Sequence, residues 1–114
     1  MQFERNFRFL NQQLNSLFIH QMLESGLKRN LDDNGIVYFN SVDEEAVEII
    51  LAKIRDSWFD TWQILSCPAD WVNKYRQEMK RLNVPFTEEL NDGQVEFLIP
   101  ESCNPHDWQC PSAG

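Results

Sequence analysis

The sequence predicts a single α+β domain over residues 1–100, in which an N-terminal helix precedes a β-α-β-α-β-β arrangement and a four-stranded mixed sheet packs against the helices. Three observations support this prediction. Apolar residues near the N-terminus recur at helical spacing, residues 62–100 alternate between strand-like and helix-like stretches, and Asp92-Gly93 is typical of a tight hairpin turn. Because 114 residues lie near the commonest domain size, a single core is expected.

An N-terminal helix is predicted from Phe3 to about Leu23. Its apolar residues follow one another at intervals of four and three, which places them on one helical face: Phe3, Phe7, Leu10, Leu14 and Leu17. The helix should end near Gly26, because glycine readily adopts the left-handed conformation that ends many helices. The apolar face could pack within the domain or against a second copy, so a homodimer through the first helix is one expectation.

The next segment is predicted to run from loop to strand to helix. Dense turn-forming residues at 27–35 predict a loop, and the apolar run 36–39 predicts a strand that is covered on both faces. A second helix is predicted over residues 42–58. Ser41 and Glu44 match a capping box at its start, where each side chain would accept a hydrogen bond from an otherwise unpaired backbone amide.

A strand, a crossing helix and a hairpin are predicted for the C-terminal half. Trp62–Ser66 is the strand, and a helix is expected between Pro68 and Pro85, because proline suits the first helical turn and interrupts a helix interior. The hairpin strands are predicted at residues 86–90 and 94–99. A strand-helix-strand unit implies a parallel crossover, so the sheet is predicted to be mixed. The sequence shows no evident internal repeat.

The charge balance excludes some classes of partner. Eighteen acidic and ten basic side chains give a formal charge of −8 and a pI near 4.6. Nucleic acids and anionic membranes are disfavoured, because both are bound through basic residues. The sequence contains no secretory signal pattern and no apolar run of about 20 residues, so no membrane association is expected. An odd number of cysteines is typical of a reducing compartment, which predicts a cytoplasmic protein.

Cys67 is the first candidate for chemistry, because it lies just before the predicted third helix. Unpaired amides and the helix dipole at such a position stabilise a thiolate, as a thiol-dependent enzyme or a redox sensor would need. The alternative is that Cys67 is a small core residue at the end of a buried strand. The core interpretation is favoured, because no second cysteine follows at redox spacing and Asp70 would raise the thiol pKa.

The tail at residues 101–114 is predicted to be poorly ordered, but it contains the second candidate. Cys103, His106 and Cys110 are spaced so that they could fold around a tetrahedral zinc ion, with Cys67 or Asp107 as a fourth ligand. A closed structural zinc site usually takes four ligands in two close pairs, and here only three lie together. No cofactor is therefore expected, and zinc is kept as an alternative.

An aromatic cluster supplies the third candidate. Trp58, Phe59 and Trp62 lie close together in the sequence, between the second helix and the following strand. Exposed tryptophan marks many binding surfaces, which makes these residues a candidate binding site. The alternative is the rim of the core, since tryptophan side chains are often incompletely buried.

No grouping of side chains suitable for acid-base catalysis is evident in the sequence. We therefore expect a non-enzymatic protein-protein interaction module, a small acidic adaptor or inhibitor-like domain that binds a protein partner through its sheet edge, its aromatic cluster or its first helix. The alternatives are an enzyme or redox sensor that uses Cys67, and a zinc-stabilised module that uses Cys103, His106 and Cys110.

Overall fold

The computed structural model describes residues 3–102 and confirms the α+β class. In chain order its elements are β1 (Arg5–Phe9), α1 (Gln12–Ser25), β2 (Arg29–Leu31), β3 (Val37–Phe39), α2 (Glu44–Trp58), β4 (Trp62–Ser66), α3 (Val72–Arg81), β5 (Thr87–Asn91) and β6 (Gln94–Pro100). The predicted four-stranded mixed sheet is wrong. The sheet has six strands, all antiparallel to their neighbours, in the order β2-β3-β1-β5-β6-β4.

The first predicted helix begins too early, because strand β1 occupies its first turns. In β1 the rings of Phe7 and Phe9 are 2% and 0% exposed and alternate with polar side chains, which is the period of a strand. Helix α1 begins after Asn11, whose side chain accepts a hydrogen bond from the Leu14 amide at 3.1 Å. It ends at Gly26 as predicted, with φ at 74°.

The predicted loop at 27–35 contains strand β2 and a tight turn. The carboxylate of Asp32 accepts hydrogen bonds from the backbone amides of Asn34 and Ile36, each at 2.9 Å. Gly35 has φ at 80°, a conformation that glycine adopts without steric cost. This turn brings the chain back, so that β2 and β3 form a hairpin. A strand of three residues has too little periodicity for a sequence pattern to reveal it.

Several later elements are confirmed. Strand β4 has the predicted bounds, and β5 and β6 form the predicted hairpin around Asp92 and Gly93. Helix α2 lies where it was predicted, but the capping box is wrong, because the Ser41 hydroxyl donates a hydrogen bond to the carboxylate of Glu4 instead. The predicted crossover also differs: α3 joins β4 to β5, but β6 lies between those two strands.

The sheet separates two apolar clusters. Helices α1 and α2 cover what we call the first face, where Phe7 and Phe9 pack against Phe18 with edge-to-face ring contacts. Helix α3 covers the second face, where Met79 packs against Phe97 of β6. Helices α1 and α3 each cover the half of the sheet to which they are directly connected, and they lie on opposite faces. Helix α2, which links β3 to β4, lies on the first face and reaches β5 through Arg55 and Glu89.

The register of the strands shows why the two clusters lie on opposite faces. Phe9 is paired with Glu89 of β5, which is paired in turn with Glu96 of β6, and paired residues in neighbouring strands point to the same face. Phe97 follows Glu96 along β6, so its ring points to the other face. Residues of β5 and β6 therefore contribute alternately to the two faces.

Two β-α-β-β units make up the fold, β1-α1-β2-β3 and β4-α3-β5-β6. Each has its strands in the spatial order second, third, first. Apolar residues of the helices and of the turn just before α3 correspond at a separation of 57 residues: Leu14, Phe18 and Met22 match Trp71, Tyr75 and Met79. The two residues with positive φ that follow the helices, Gly26 and Asn83, have the same separation. The structure thus contains an internal repeat that the sequence did not reveal.

Candidate functional site

A groove on the first face lies between the C-terminal half of α1 and the sheet edge formed by β2. Its volume is about 710 Å³, against 250 and 300 Å³ for two hollows elsewhere on the described surface. Its apolar lining includes Phe3, Ile19, Met22, Leu23, Leu27 and Leu31. We call this the β2 groove. A concave and mainly apolar surface of this size suits the binding of a ligand or of a segment of a partner.

The β2 groove has a buried floor and exposed apolar sides. Met22 and Val37 on its floor are 0% and 2% exposed, whereas Leu23 and Leu31 at its sides are 59% and 49% exposed. Isolated exposed leucines are ordinary, but here they line one concavity. The groove therefore presents an apolar surface that a partner can cover.

The backbone of β2 adds hydrogen-bonding capacity to the groove. The Asp32 amide donates to the carbonyl of Ile36 at 3.1 Å, and hydrogen-bonded pairs alternate along an antiparallel hairpin. Asn30 is therefore the β2 residue that bonds to β3, while the N–H and C=O groups of Arg29 and Leu31 point away from the sheet. No strand in the described part of the chain pairs with that outer edge.

The groove is bordered by positive charge, although the protein is acidic overall. Lys28 and Arg29 both line it. Within residues 3–102 neither contacts a carboxylate, and the Arg29 guanidinium donates to the backbone carbonyl of Leu27 at 2.9 Å. Four other arginines do pair with carboxylates: Arg5, Arg55, Arg76 and Arg81. The groove thus keeps two cations available for a ligand.

A buried asparagine of α1 is hydrogen-bonded to the sheet and to the β2-β3 turn. Asn15 of α1 is 4% exposed, and its side-chain oxygen accepts a hydrogen bond from the Phe9 amide at 3.0 Å. Its side-chain amide donates to the carbonyl of Gly35 at 2.9 Å. One side chain therefore joins α1 to β1 and to the β2-β3 turn. The sequence signal that could have revealed Asn15 is a polar residue next to the apolar positions of a helix.

A buried ion pair lies between α2 and β5. The Arg55 guanidinium donates to both carboxylate oxygens of Glu89, at 2.6 and 3.0 Å, and stacks over the ring of Trp62 at 5.1 Å. Burial raises the pKa of Glu89 above its ordinary value, and the hydrogen bonds from Arg55 oppose that rise. Glu89 is 0% exposed, so this pair cannot reach a ligand and has a structural role.

Cys67, the predicted reactive thiol, is 4% exposed and belongs to the apolar cluster on the second face. It borders the hollow of about 300 Å³. His20 lies on α1, which covers the first face, and pairs there with Glu24 at 2.8 Å. Within residues 3–102 no three histidine, cysteine or acidic side chains are grouped so that they could hold a metal ion. The structure thus places no described histidine beside Cys67.

The aromatic candidates lie away from the β2 groove. Trp58 is 38% exposed at the end of α2, and Phe59 is half-buried. Trp62 begins the opposite edge strand, and its indole N–H donates to the Asp56 carboxylate at 2.7 Å. The zinc candidates Cys103, His106 and Cys110 lie outside the described residues.

The first-helix candidate surface is divided by the structure. Of the residues on the predicted apolar face of the first helix, Phe7 belongs to β1 and Leu10 precedes α1, while Leu14 is buried against the sheet. Leu17 is 42% exposed and Leu23 lines the β2 groove. The predicted apolar face is therefore not one continuous stripe on a helix.

Comparison with protein-family models, with curated proteins and with solved structures finds no match to this chain. No helix among residues 3–102 has the length and apolar character required to cross a membrane.

Proposed function

We propose that this chain is a non-enzymatic protein-protein interaction module, a small acidic adaptor or inhibitor-like domain, and that it binds a segment of a partner protein in the β2 groove. The observation that carries the proposal is the coincidence of three features at one place. An apolar concavity of about 710 Å³, a sheet edge with outward-pointing backbone groups and two cations without a carboxylate partner in the described part of the chain all border β2.

Other observations support a protein as the ligand. The groove is open along β2, so an extended chain could lie in it, and an exposed sheet edge is a common site for peptide recognition. The formal charge of −8 disfavours a nucleic acid as partner, because phosphate backbones are repelled by such a surface. The odd number of cysteines favours a cytoplasmic setting for this role.

Selection from a random displayed peptide library on the immobilised full chain tests the proposal. Peptides that bind should lose affinity when Leu31 is replaced by lysine, because a charge would then stand at the side of the apolar groove. The matched control is Leu82→Lys, since Leu82 is a comparably apolar residue, 37% exposed, at the end of α3 and away from the groove. Affinity should be unchanged in that control.

Two results would contradict this function. One is a selection that yields no peptide above background on the folded chain. The other is a set of peptides whose affinity falls equally in both lysine variants, which would show that binding occurs somewhere other than the β2 groove.

A further inference from the structure

We infer that the β2 groove binds an extended segment of a partner protein, added antiparallel to β2, with apolar side chains at alternate positions and a carboxylate beside Lys28 and Arg29. This inference rests on the proposed function and specifies the chemistry of the ligand. It follows from comparing the two β-α-β-β units. A strand covers the outer edge of β5 in the second unit, whereas no strand among residues 3–102 covers the corresponding edge of β2 in the first.

The second unit shows how this kind of edge is completed. Strand β5 is the counterpart of β2, and β1 lies antiparallel along its outer edge. The Leu10 amide, at the end of β1, donates to the carbonyl of Glu88 at 2.8 Å. Glu88 lies 57 residues after Leu31, which is the separation that relates the two units. The outward-pointing carbonyl of Leu31 is thus the counterpart of a group that accepts a hydrogen bond from an added strand.

A difference between the units explains why the added segment should be apolar on one side. In the second unit Arg76 of α3 and Glu88 of β5 form a two-bond ion pair, at 2.6 and 2.8 Å, which joins the helix to the strand. The corresponding positions in the first unit are Ile19 and Leu31, which cannot form such a pair and instead line the β2 groove. Side chains that complete the first unit must therefore be apolar where they meet these two residues.

The positive charge beside the groove indicates a second feature of the bound segment. Lys28 and Arg29 line the groove and have no carboxylate partner among residues 3–102. A carboxylate on the partner would pair with one or both at the end of the apolar run, where partial exclusion of water strengthens the attraction. The local charge thus favours an acidic residue in the bound segment, even though the whole chain is acidic.

Labelled short peptides of defined sequence test the inference on the full chain. The parent probe is Thr-Val-Thr-Val-Thr-Glu-Thr, in which the two valines and the glutamate share one face of the strand and the glutamate lies toward the end that meets Lys28 and Arg29. The charge control replaces the glutamate with lysine. When the probe pairs antiparallel with β2, its side chains alternate between the two faces of the sheet. The probe residues on the same face as Leu31 are the ones whose backbone amides point at β2. N-methylation of the valine amides should therefore abolish binding, whereas N-methylation of the threonine amides should preserve it.

Binding is measured by fluorescence anisotropy at low salt. The glutamate probe should bind about tenfold more tightly than the lysine probe, and the double substitution Lys28→Glu with Arg29→Glu should reverse that preference. Lys80→Glu is the matched control, because Lys80 is an exposed lysine on α3, which covers the opposite face. It should leave the preference unchanged.

Three outcomes would overturn the inference. They are equal sensitivity to the two N-methylation patterns, a preference for the lysine probe, or a dimer of the free chain that Leu31→Lys dissociates, since the occupant would then be a second copy. If library peptides bind in the groove while these probes fail, the inference is wrong and the proposed function stands. If no library peptide binds either, both are wrong.

Discussion

Arg55 and Glu89 form a buried ion pair in the middle of the first face, with side chains 7% and 0% exposed. Removing two charges from water is costly, and the two hydrogen bonds between the guanidinium and the carboxylate offset that cost. The guanidinium also stacks over the rings of Phe7 and Trp62. The pair therefore fixes the position of α2 over β5, and each partner depends on the other.

Replacing one member of this pair should destabilise the protein more than replacing both. We expect Arg55→Met or Glu89→Leu alone to lower the free energy of unfolding by about 3 kcal/mol, because each leaves a buried unpaired charge. The double variant should cost less than either single variant. Urea denaturation of the four proteins measures this double-mutant cycle.

The pair Arg76 and Glu88 is the matched control. It lies at the other face of the same strand, with side chains 32% and 17% exposed, so its cycle should give a coupling of about 0 to 1 kcal/mol. A coupling for Arg55 and Glu89 no larger than that of the control pair would contradict the structural role assigned to the buried pair.

Asp32 gives stability a defined pH dependence. Hydrogen bonds from the amides of Ile36 and Asn34 and from the Tyr38 hydroxyl hold the pKa of Asp32 below its ordinary value of 3.8. The folded state therefore favours the carboxylate, so its stabilising effect is present above the ordinary pKa and is lost as the pH falls through the lowered value. Asp32→Asn should reduce stability at neutral pH and reduce the loss on acidification.

Asp33→Asn is the control for this prediction, because Asp33 is the exposed neighbour in the same turn. Urea midpoints at neutral pH and at pH about 3 should show a smaller acid-induced decrease for Asp32→Asn than for Asp33→Asn. Equal decreases would show that the hydrogen bonds to Asp32 do not affect folding.

At the scale of elements, sequence and structure agree where a signal is long and local. Helix α2, strand β4 and the hairpin at Asp92-Gly93 were predicted from repeated apolar positions and turn chemistry, and they are present. Strand β1 was missed because Phe7, at an interval of three from Leu10, also fits a helix. Strand β2 was missed because three residues carry almost no periodicity. The site was missed with it, since the β2 groove depends on that strand.

The β2-β3 turn contains a glycine at which an added side chain would meet a neighbouring residue. At Gly35 an added Cβ would lie 3.1 Å from the side-chain amide of Asn15, and φ is 80°. At Gly26 φ is 74°, but nothing lies within 4 Å of such a Cβ. Both alanine variants should lower the free energy of unfolding, because both add backbone strain. The decrease should be larger for Gly35→Ala, by about 1 kcal/mol or more, because this variant also adds a close contact with Asn15.

Thermal or urea denaturation of both alanine variants measures the difference. Gly26→Ala reports the backbone strain alone, so the excess in Gly35→Ala reports the contact with Asn15. If the two variants are equally destabilised, the interaction between α1 and the turn is looser than the structure indicates.

At the scale of the whole molecule, the two units share one sheet. β1 of the first unit pairs with β5 of the second, so hydrogen bonds cross the boundary between the units in the middle of the sheet. The sequence predicted the α+β class and the order of most elements. It could not predict this pairing, because contacts between residues about 80 positions apart leave no local pattern. The sheet was therefore predicted too small and with the wrong strand directions.

Because the sheet is continuous, we expect the apolar clusters on its two faces to unfold together. Phe18→Ala on the first face and Phe97→Ala on the second should each lower the free energy of unfolding by about 3 to 5 kcal/mol. In each variant, far-ultraviolet circular dichroism and tryptophan fluorescence should report one coincident urea transition. Separate transitions would show that the two halves are independent folding units.

The central pairing of β1 with β5 has a consequence for how this chain tolerates cleavage. A cut in the link between α2 and β4 would leave two fragments. Each fragment would expose one inner strand, β1 or β5, whose pairing partner lies in the other fragment. Coexpressed fragments should reassemble by complementation, whereas either one alone would present an unprotected inner edge and self-associate.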